Sequence, residues 1–134
     1  MIVVDASALI AILDGEDDAA RYAEAIAEAD APLISAGTLI EAGIVMLNRH
    51  GAKGARKVMV LLQEAGCQVE NVTAHHAQLA LEAYAMYGKG QKGKAGLNYG
   101  DCFSYALAKA TGLPLLFKGN DFPKTDIQPA LSRE

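Results

Sequence analysis

Four carboxylates stand where a folded chain has little reason to put a charge. Asp5 follows directly on the apolar run Ile2-Val3-Val4, and Asp121 comes shortly after Pro114-Leu-Leu-Phe117. Glu41 is the only charged residue between Asp30 and Arg49, and Asp101 the only one between Lys94 and Lys109. A lone carboxylate in an apolar stretch costs several kcal/mol unless it is paired, bound to a cation or able to reach water from a helix edge. Asp101 also has a plain structural explanation, since the first turn of a helix favours a negative charge and Asn98 can cap it. If the four converge, their repulsion calls for a counterion, and an all-oxygen donor set selects Mg²⁺ or Mn²⁺ over zinc. One or two such ions activate a water and stabilise the leaving oxygen of an in-line phosphoryl displacement. No Ser-His-Asp or Cys-His arrangement competes with that chemistry.

The elements that must position these residues alternate in type. Short apolar runs at 1–4, 32–35, 67–72 and 114–117 read as strands, the first of them buried on both faces, and a short last strand is expected from Asp126-Ile127. Helical patterns lie between them. The first runs from Ala8 to Leu13 behind Ser7 as its cap, and the second covers 16–29 with Tyr22 and Ile26 one turn apart. An apolar helix at 36–48 carries Glu41, and another at 51–66 puts Val58, Leu61, Leu62 and Ala65 on one face. Thr73 caps a helix over 74–87, and a last helix begins around Asp101 and ends at Thr111-Gly112. Such alternation predicts an α/β fold, in which strand ends and helix N-termini share one edge of the sheet and ligands bind there.

With 134 residues, half of them hydrophobic, and only four prolines, the chain is expected to form one folded domain over 1–134. No lysine or arginine precedes Arg21 and no apolar run approaches a membrane span, so neither a signal peptide nor a membrane anchor is expected. Cys67 and Cys102 suit reduced core thiols in a cytoplasm. The net charge of −4 hides a polarity: residues 1–48 carry nine acids against Arg21, whereas 49–118 carry nine bases against four acids. That pattern fits an anionic ligand on one side, and equally fits solvated helix faces. Arg49, Lys53, Arg56 and Lys57 share a helical face that serves phosphates or water alike. His75 and His76 are adjacent, so their rings diverge and a shared metal is not expected. The segment Gly88–Gly96 carries Lys89, Lys92 and Lys94 but lacks the ending of a nucleotide-binding P-loop.

Asp5-Ala-Ser7-Ala8, Glu41 in its apolar helix, Asn98-Tyr-Gly-Asp101-Cys and Phe117-Lys-Gly-Asn-Asp121-Phe together resemble the PIN-domain ribonucleases, and most of all the VapC-type toxins of bacterial toxin–antitoxin pairs. Each motif is weak alone, but the ordered set is specific and spans essentially the whole chain. The resemblance implies a three-layer α/β/α fold around a central, mainly parallel sheet of four to five strands. It implies a Mg²⁺- or Mn²⁺-dependent endoribonuclease whose principal metal is held by Asp5 and Asp101. Glu41 would complete the sphere or position the water, and Asp121 would serve a second, weaker metal or act through solvent, with Asn120 beside it as a rival. Ser7 would orient the water or a phosphate oxygen. It further implies an RNA substrate, a homodimer, a cytoplasmic location and a cognate VapB-type antitoxin that places a basic side chain in the acidic pocket. The residues themselves add that Lys89, Lys92 and Lys94 stand nearest in sequence to Asp101, where they can offset the repulsion of RNA by the acids.

Two other classes compete. A receiver-type phosphoacceptor domain also gathers carboxylates at strand ends, with Lys118 in the place of its lysine, but it wants adjacent acids after the first strand where only Asp5 stands. A phosphatase of the HAD type wants an acid two residues beyond its nucleophile, at the position of Ser7. A PIN fold without activity, kept as an RNA- or protein-binding module, is the remaining alternative.

Overall fold

The computed structural model describes residues 1–91 and 95–132. Four short strands, β1 (Val3–Val4), β2 (Leu33–Ser35), β3 (Gln68–Glu70) and β4 (Leu115–Leu116), form one sheet in the order β3-β2-β1-β4, and every pairing is parallel. Parallel neighbours cannot be joined by a hairpin, so each connection crosses through helix. Helices α1 (Ala6–Leu13) and α2 (Ala19–Glu28) join β1 to β2, and α3 (Ala36–Glu64) joins β2 to β3. Helices α4 (Ala74–Tyr87) and α5 (Asp101–Thr111) lead to β4.

Alternation along the strands divides the core into two. Val4, Ile34 and Leu116 pack with Leu9, Tyr22, Ile26, Met46, Val58 and Leu62 from α1, α2 and α3. Their neighbours Val3, Leu33 and Leu115 point the other way and pack with Ala83, Tyr105 and Leu107 from α4 and α5. The result is the expected three-layer α/β/α arrangement, with four strands. From β1 the chain winds to one side through β2 and β3, then returns to the other side at β4. The order therefore reverses between β1 and β4, and a sheet of this kind binds its ligand at the carboxyl ends beside that reversal. Asp5 and the segment from Phe117 to Asp121 sit there.

Two expectations need correction. Ser7 does not cap α1; Asp5 does, its carboxylate accepting the Ser7 N–H at 3.1 Å, so the helix starts at Ala6. A carboxylate caps as well as a hydroxyl, and the residue nearer the strand took the role. Asp126 begins no strand: the backbone meets β4 later, at 128–130, where the Leu115 N–H donates to Gln128 O at 2.9 Å and the Ala130 N–H to Leu115 O at 2.8 Å. The Asp126 side chain accepts from Tyr105 Oη at 2.7 Å and Lys109 Nζ at 2.5 Å, both of α5. Past β4, among the described residues, the chain makes one isolated bridge to the sheet, from Pro129 to Leu115. The two helices expected at 36–48 and 51–66 are both present within α3, separated by a break at Gly51, where φ is 73° and ψ −166°, a conformation only glycine adopts without strain. Helix α4 spans the expected 74–87, with Thr73 Oγ1 accepting the His76 N–H at 3.1 Å. Cys67 and Cys102 are free thiols, and no described helix is long and apolar enough to cross a membrane.

Candidate active site

Asp5 leaves β1 almost completely buried, 2 % exposed, and its carboxylate is held at both oxygens. Oδ2 accepts from the Ser7 N–H at 3.1 Å and from Ser7 Oγ at 2.6 Å, while Oδ1 accepts from Ser104 Oγ of α5 at 2.5 Å. Ser7 Oγ in turn accepts the backbone N–H of Lys118 at 2.9 Å, which ties the end of β1 to the end of β4. Asp101 opens α5 in a reciprocal pair with Asn98. Its Oδ2 accepts the Asn98 N–H at 3.0 Å, and Asn98 Oδ1 accepts the Asp101 N–H at 2.9 Å.

Glu41, half-buried on α3, lies directly against Gly100 at the start of α5. A Cβ placed on Gly100 would fall 1.9 Å from Glu41 Oε2, so only a glycine leaves room for the carboxylate. One turn earlier on α3, Gly37 receives the Phe103 ring, whose nearest carbon would stand 2.3 Å from a Cβ there. The first turns of α3 and α5 thus cross in contact, each conceding a side chain to the other. This crossing brings Glu41 and Asp101 toward Asp5.

The electrostatics show that they sense one another. Burial, reinforced by the charge of Asp5, pushes the Glu41 carboxyl up to about 7. Burial also pushes Asp101 up to about 7, against the Asn98 hydrogen bond and with the charges of Asp5, Asp121 and Glu41 adding to the rise. Asp121 is exposed at the rim, beside Gly96, and Asn120 next to it is exposed too. Among the described residues, no three His, Cys, Asp or Glu side chains stand close enough as placed to hold a metal ion. The donor chemistry nevertheless fits one. Three oxygen-only carboxylates, each on its own element, share an unneutralised potential that a hard divalent cation would relieve.

The other charged residues are less central. Lys89 is exposed with its N–H bonded to Leu97 O at 2.7 Å, and Lys92 and Lys94 lie outside the described residues. Lys118 Nζ pairs with Glu16 and, at 2.9 Å, with Asp18, so the lysine that a receiver-type reading needs is engaged on the α1–α2 connection. Arg49 and His50 both bind Asp14, at 2.6 and 2.8 Å.

Compared with known proteins, residues 2–128 match the PIN domain model. The chain belongs to the PIN-domain family. It is similar to ribonuclease VapC28 of Mycobacterium tuberculosis, 50 % identical over 132 residues that cover 98 % of this chain and 99 % of that one. The ribonuclease VapC of Mycolicibacterium smegmatis is 46 % identical over 126 residues, covering 94 % and 97 %. Among solved structures, Mycobacterium tuberculosis VapC20, a sarcin–ricin loop cleaving toxin, matches with a TM-score of 0.75 at 20 % identity, over 96 % of this chain and 100 % of that one. VapBC2 of Rickettsia felis, bound to a DNA fragment from its promoter, matches at 0.67 and 17 % identity, over 96 % of each chain. These two structures bear on the fold, and the all-parallel sheet between two helical layers is the one this PIN domain shares with them.

Four residues of this PIN domain site escape a reading of charge alone: Thr38, Ser104, Gly37 and Gly100. Thr38 Oγ1 stands 3.0 Å from Ser104 Oγ, and both residues are completely buried. The available signal is spacing, since Thr38 precedes Glu41 by three residues and Ser104 follows Asp101 by three, each on the helical face of its acid. Glu41 also lines a cavity of about 320 Å³ with Ile40, Ile44, Tyr99 and Phe103. A larger apolar cavity of about 830 Å³ lies beyond Tyr99 and Phe103, against Leu81 and Tyr84 of α4. Tyr99, 78 % exposed, contacts both and meets the Phe103 ring edge-on at 5.1 Å.

Proposed function

We propose that this PIN domain is a divalent-metal-dependent endoribonuclease, the toxin of a VapBC-type toxin–antitoxin pair, and that it hydrolyses RNA phosphodiesters where Asp5, Glu41 and Asp101 meet. The observation that carries the reading is the convergence of these acids in one buried corner, where burial first and their mutual repulsion second push the Glu41 and Asp101 carboxyls up to about 7 beside a fully buried Asp5. Groups forced so far from their ordinary range at the carboxyl edge of a parallel sheet mark a functional site.

Asp5 and Asp101 would hold the principal Mg²⁺ or Mn²⁺, with Glu41 completing its surroundings and Asp121 contributing from the rim. When bound, such a cation supplies charge neutralisation and an acidified water for attack on phosphorus. The chain's own residues do the rest. Asp5 is fixed in orientation by its three hydrogen bonds, and Asp101 by its exchange with Asn98. Glu41, whose carboxyl burial and the Asp5 charge push up to about 7 in the metal-free site, faces the other acids where a carboxylate can relieve an attacking water of a proton. Ser7 acts through Asp5, because its single proton is committed to Oδ2.

The same reading assigns the exposed apolar side chains of Ile40, Ile44, Leu81 and Tyr99 to protein partners. These are a VapB-type antitoxin, with a basic side chain directed at the acids, and a second copy in a cytoplasmic homodimer. Lys89, Lys92 and Lys94 guide RNA past the negative pocket.

Cleavage of a mixed cellular RNA pool by the purified chain tests the reading, with Mg²⁺, Mn²⁺ or EDTA and with Asp5→Ala as the control. Cutting that needs a divalent ion and is lost in the variant is expected. A pure, folded wild type that cuts nothing with either ion would replace this reading with a binding module.

A further inference from the structure

We infer that Ser104 is a positioning residue for Asp5 and that Thr38 backs it, the two hydroxyls forming a buried relay that fixes how Asp5 offers its carboxylate. The inference rests on the nuclease reading above and names residues that reading does not use. Counting protons fixes the direction of the relay. A serine has one hydroxyl proton, and Ser104 gives it to a carboxylate oxygen at 2.5 Å, since a carboxylate can only accept. The 3.0 Å contact between Thr38 and Ser104 must therefore run from Thr38 Oγ1 to Ser104 Oγ. A second relay of the same form meets the other oxygen: the Lys118 N–H donates to Ser7 Oγ, which donates to Oδ2. With a serine proton on each oxygen, the Asp5 carboxylate cannot turn about its last bond without breaking a hydrogen bond on both sides.

The Thr38–Ser104 contact does a second thing. It links α3 to α5 one helical turn below the acids, because Thr38 and Glu41 are three residues apart on α3, as are Asp101 and Ser104 on α5. The contact thus helps to hold the turns of α3 and α5 that carry the two carboxylates against each other. Packing alone does not call for hydroxyls here. An alanine and a valine would fill these fully buried positions without bringing polar atoms into the core.

The test uses the full chain with Ser104→Ala, Thr38→Val, Thr38→Ser and the double variant Ser104→Ala/Thr38→Val. Three quantities are read: Mn²⁺ affinity by titration calorimetry without RNA, kcat and KM on RNA, and thermal stability in EDTA. Loss of a residue that orients a metal ligand lowers affinity or turnover by about 10- to 100-fold. Ser104→Ala is expected to lose that much in Mn²⁺ affinity and kcat at unchanged KM, and Thr38→Val to lose less in the same direction. Thr38→Ser should restore both, and the double variant should be no worse than Ser104→Ala, since the two act in series. A residue that merely supported the fold would lower stability without this kcat-against-KM pattern or the rescue by serine. A folded Ser104→Ala that binds Mn²⁺ and turns over like the wild type overturns the inference, as do single losses that multiply in the double variant. If Ser104→Ala does not fold, the Thr38 pair decides, and equal behaviour of Thr38→Val and Thr38→Ser overturns it. A folded wild type that neither binds Mn²⁺ nor cuts RNA fails the nuclease reading instead, and this one with it.

Discussion

Replacing Asp101 by asparagine is expected to stabilise the metal-free protein near neutral pH while abolishing its nuclease activity. The amide keeps the local structure. Its oxygen still accepts the Asn98 N–H, now at 3.0 Å, and its backbone N–H still reaches Asn98 Oδ1. What disappears is a charge that is 7 % exposed and repelled by Asp5, Asp121 and Glu41. The folded carboxyl titrates at about 7 against an ordinary 3.8, so between those values the native state binds more protons than the unfolded chain. Stability therefore falls as pH rises through that window and is lowest above it. The full shift corresponds to on the order of 4 kcal/mol at ~1.4 kcal/mol per unit. Solvent reaching the outer edge of the nest reduces that to about 2 kcal/mol. Asn is neutral throughout, so the variant should gain about 2 kcal/mol near pH 8, or roughly 6–10 °C in Tm, and nothing near pH 4. Urea and thermal unfolding in EDTA across that range, for both proteins, measure it. A variant that is less stable near neutral pH, or whose advantage does not change with pH, would show that burial and repulsion do not penalise the Asp101 charge.

Other outcomes follow from single contacts. Gly100→Ala, whose Cβ would fall 1.9 Å from Glu41 Oε2, should evict that carboxylate and lower kcat at least ~10-fold. Its backbone is already helical at φ −63°, so circular dichroism should show an unchanged fold. Thr73→Ala removes the oxygen that accepts the His76 N–H and should cost about 1 kcal/mol in urea unfolding with activity intact. Changing Lys89, Lys92 and Lys94 together to serine should weaken RNA binding and flatten its dependence on salt concentration, read by filter binding, and an unchanged slope would remove these lysines from the RNA path.

The acids were legible in the sequence because charge is conspicuous in apolar surroundings. Asp5, Glu41 and Asp101 stand out in that way, and the strand–helix alternation places them on one edge of the sheet. The helix starts at Thr73 and Asp101 were legible for a related reason, since a cap acts within three or four residues. What stayed hidden acts across the chain. Ser104 and Thr38 are ordinary helix residues until α3 and α5 cross, and Gly37 and Gly100 read as small residues until Phe103 and Glu41 arrive against them. Ser7 and Asp126 were misread for different reasons. Asp5 takes the cap two residues earlier, leaving Ser7 to accept the Lys118 N–H from 111 positions away. The Asp126 side chain turns to Tyr105 and Lys109 of α5 while the chain meets β4 a few residues later.

The position of Asp5 directly after β1 has a consequence for how the acids can come apart. The strand is central: Val3 N–H bonds to Pro114 O and Asp5 N–H to Leu116 O on one side, and Leu33 N–H bonds to Ile2 O on the other. Amides so placed exchange with solvent only when the whole domain opens, whereas loops and helix ends open at little cost. Asp5 therefore belongs to the last part of the molecule to come apart, and no local fraying can remove it while the rest stays folded. Asp101, the first residue of α5, sits at a helix end and can be displaced by fraying while Asp5 stays in place. The acids therefore part in a fixed order, Asp101 before Asp5.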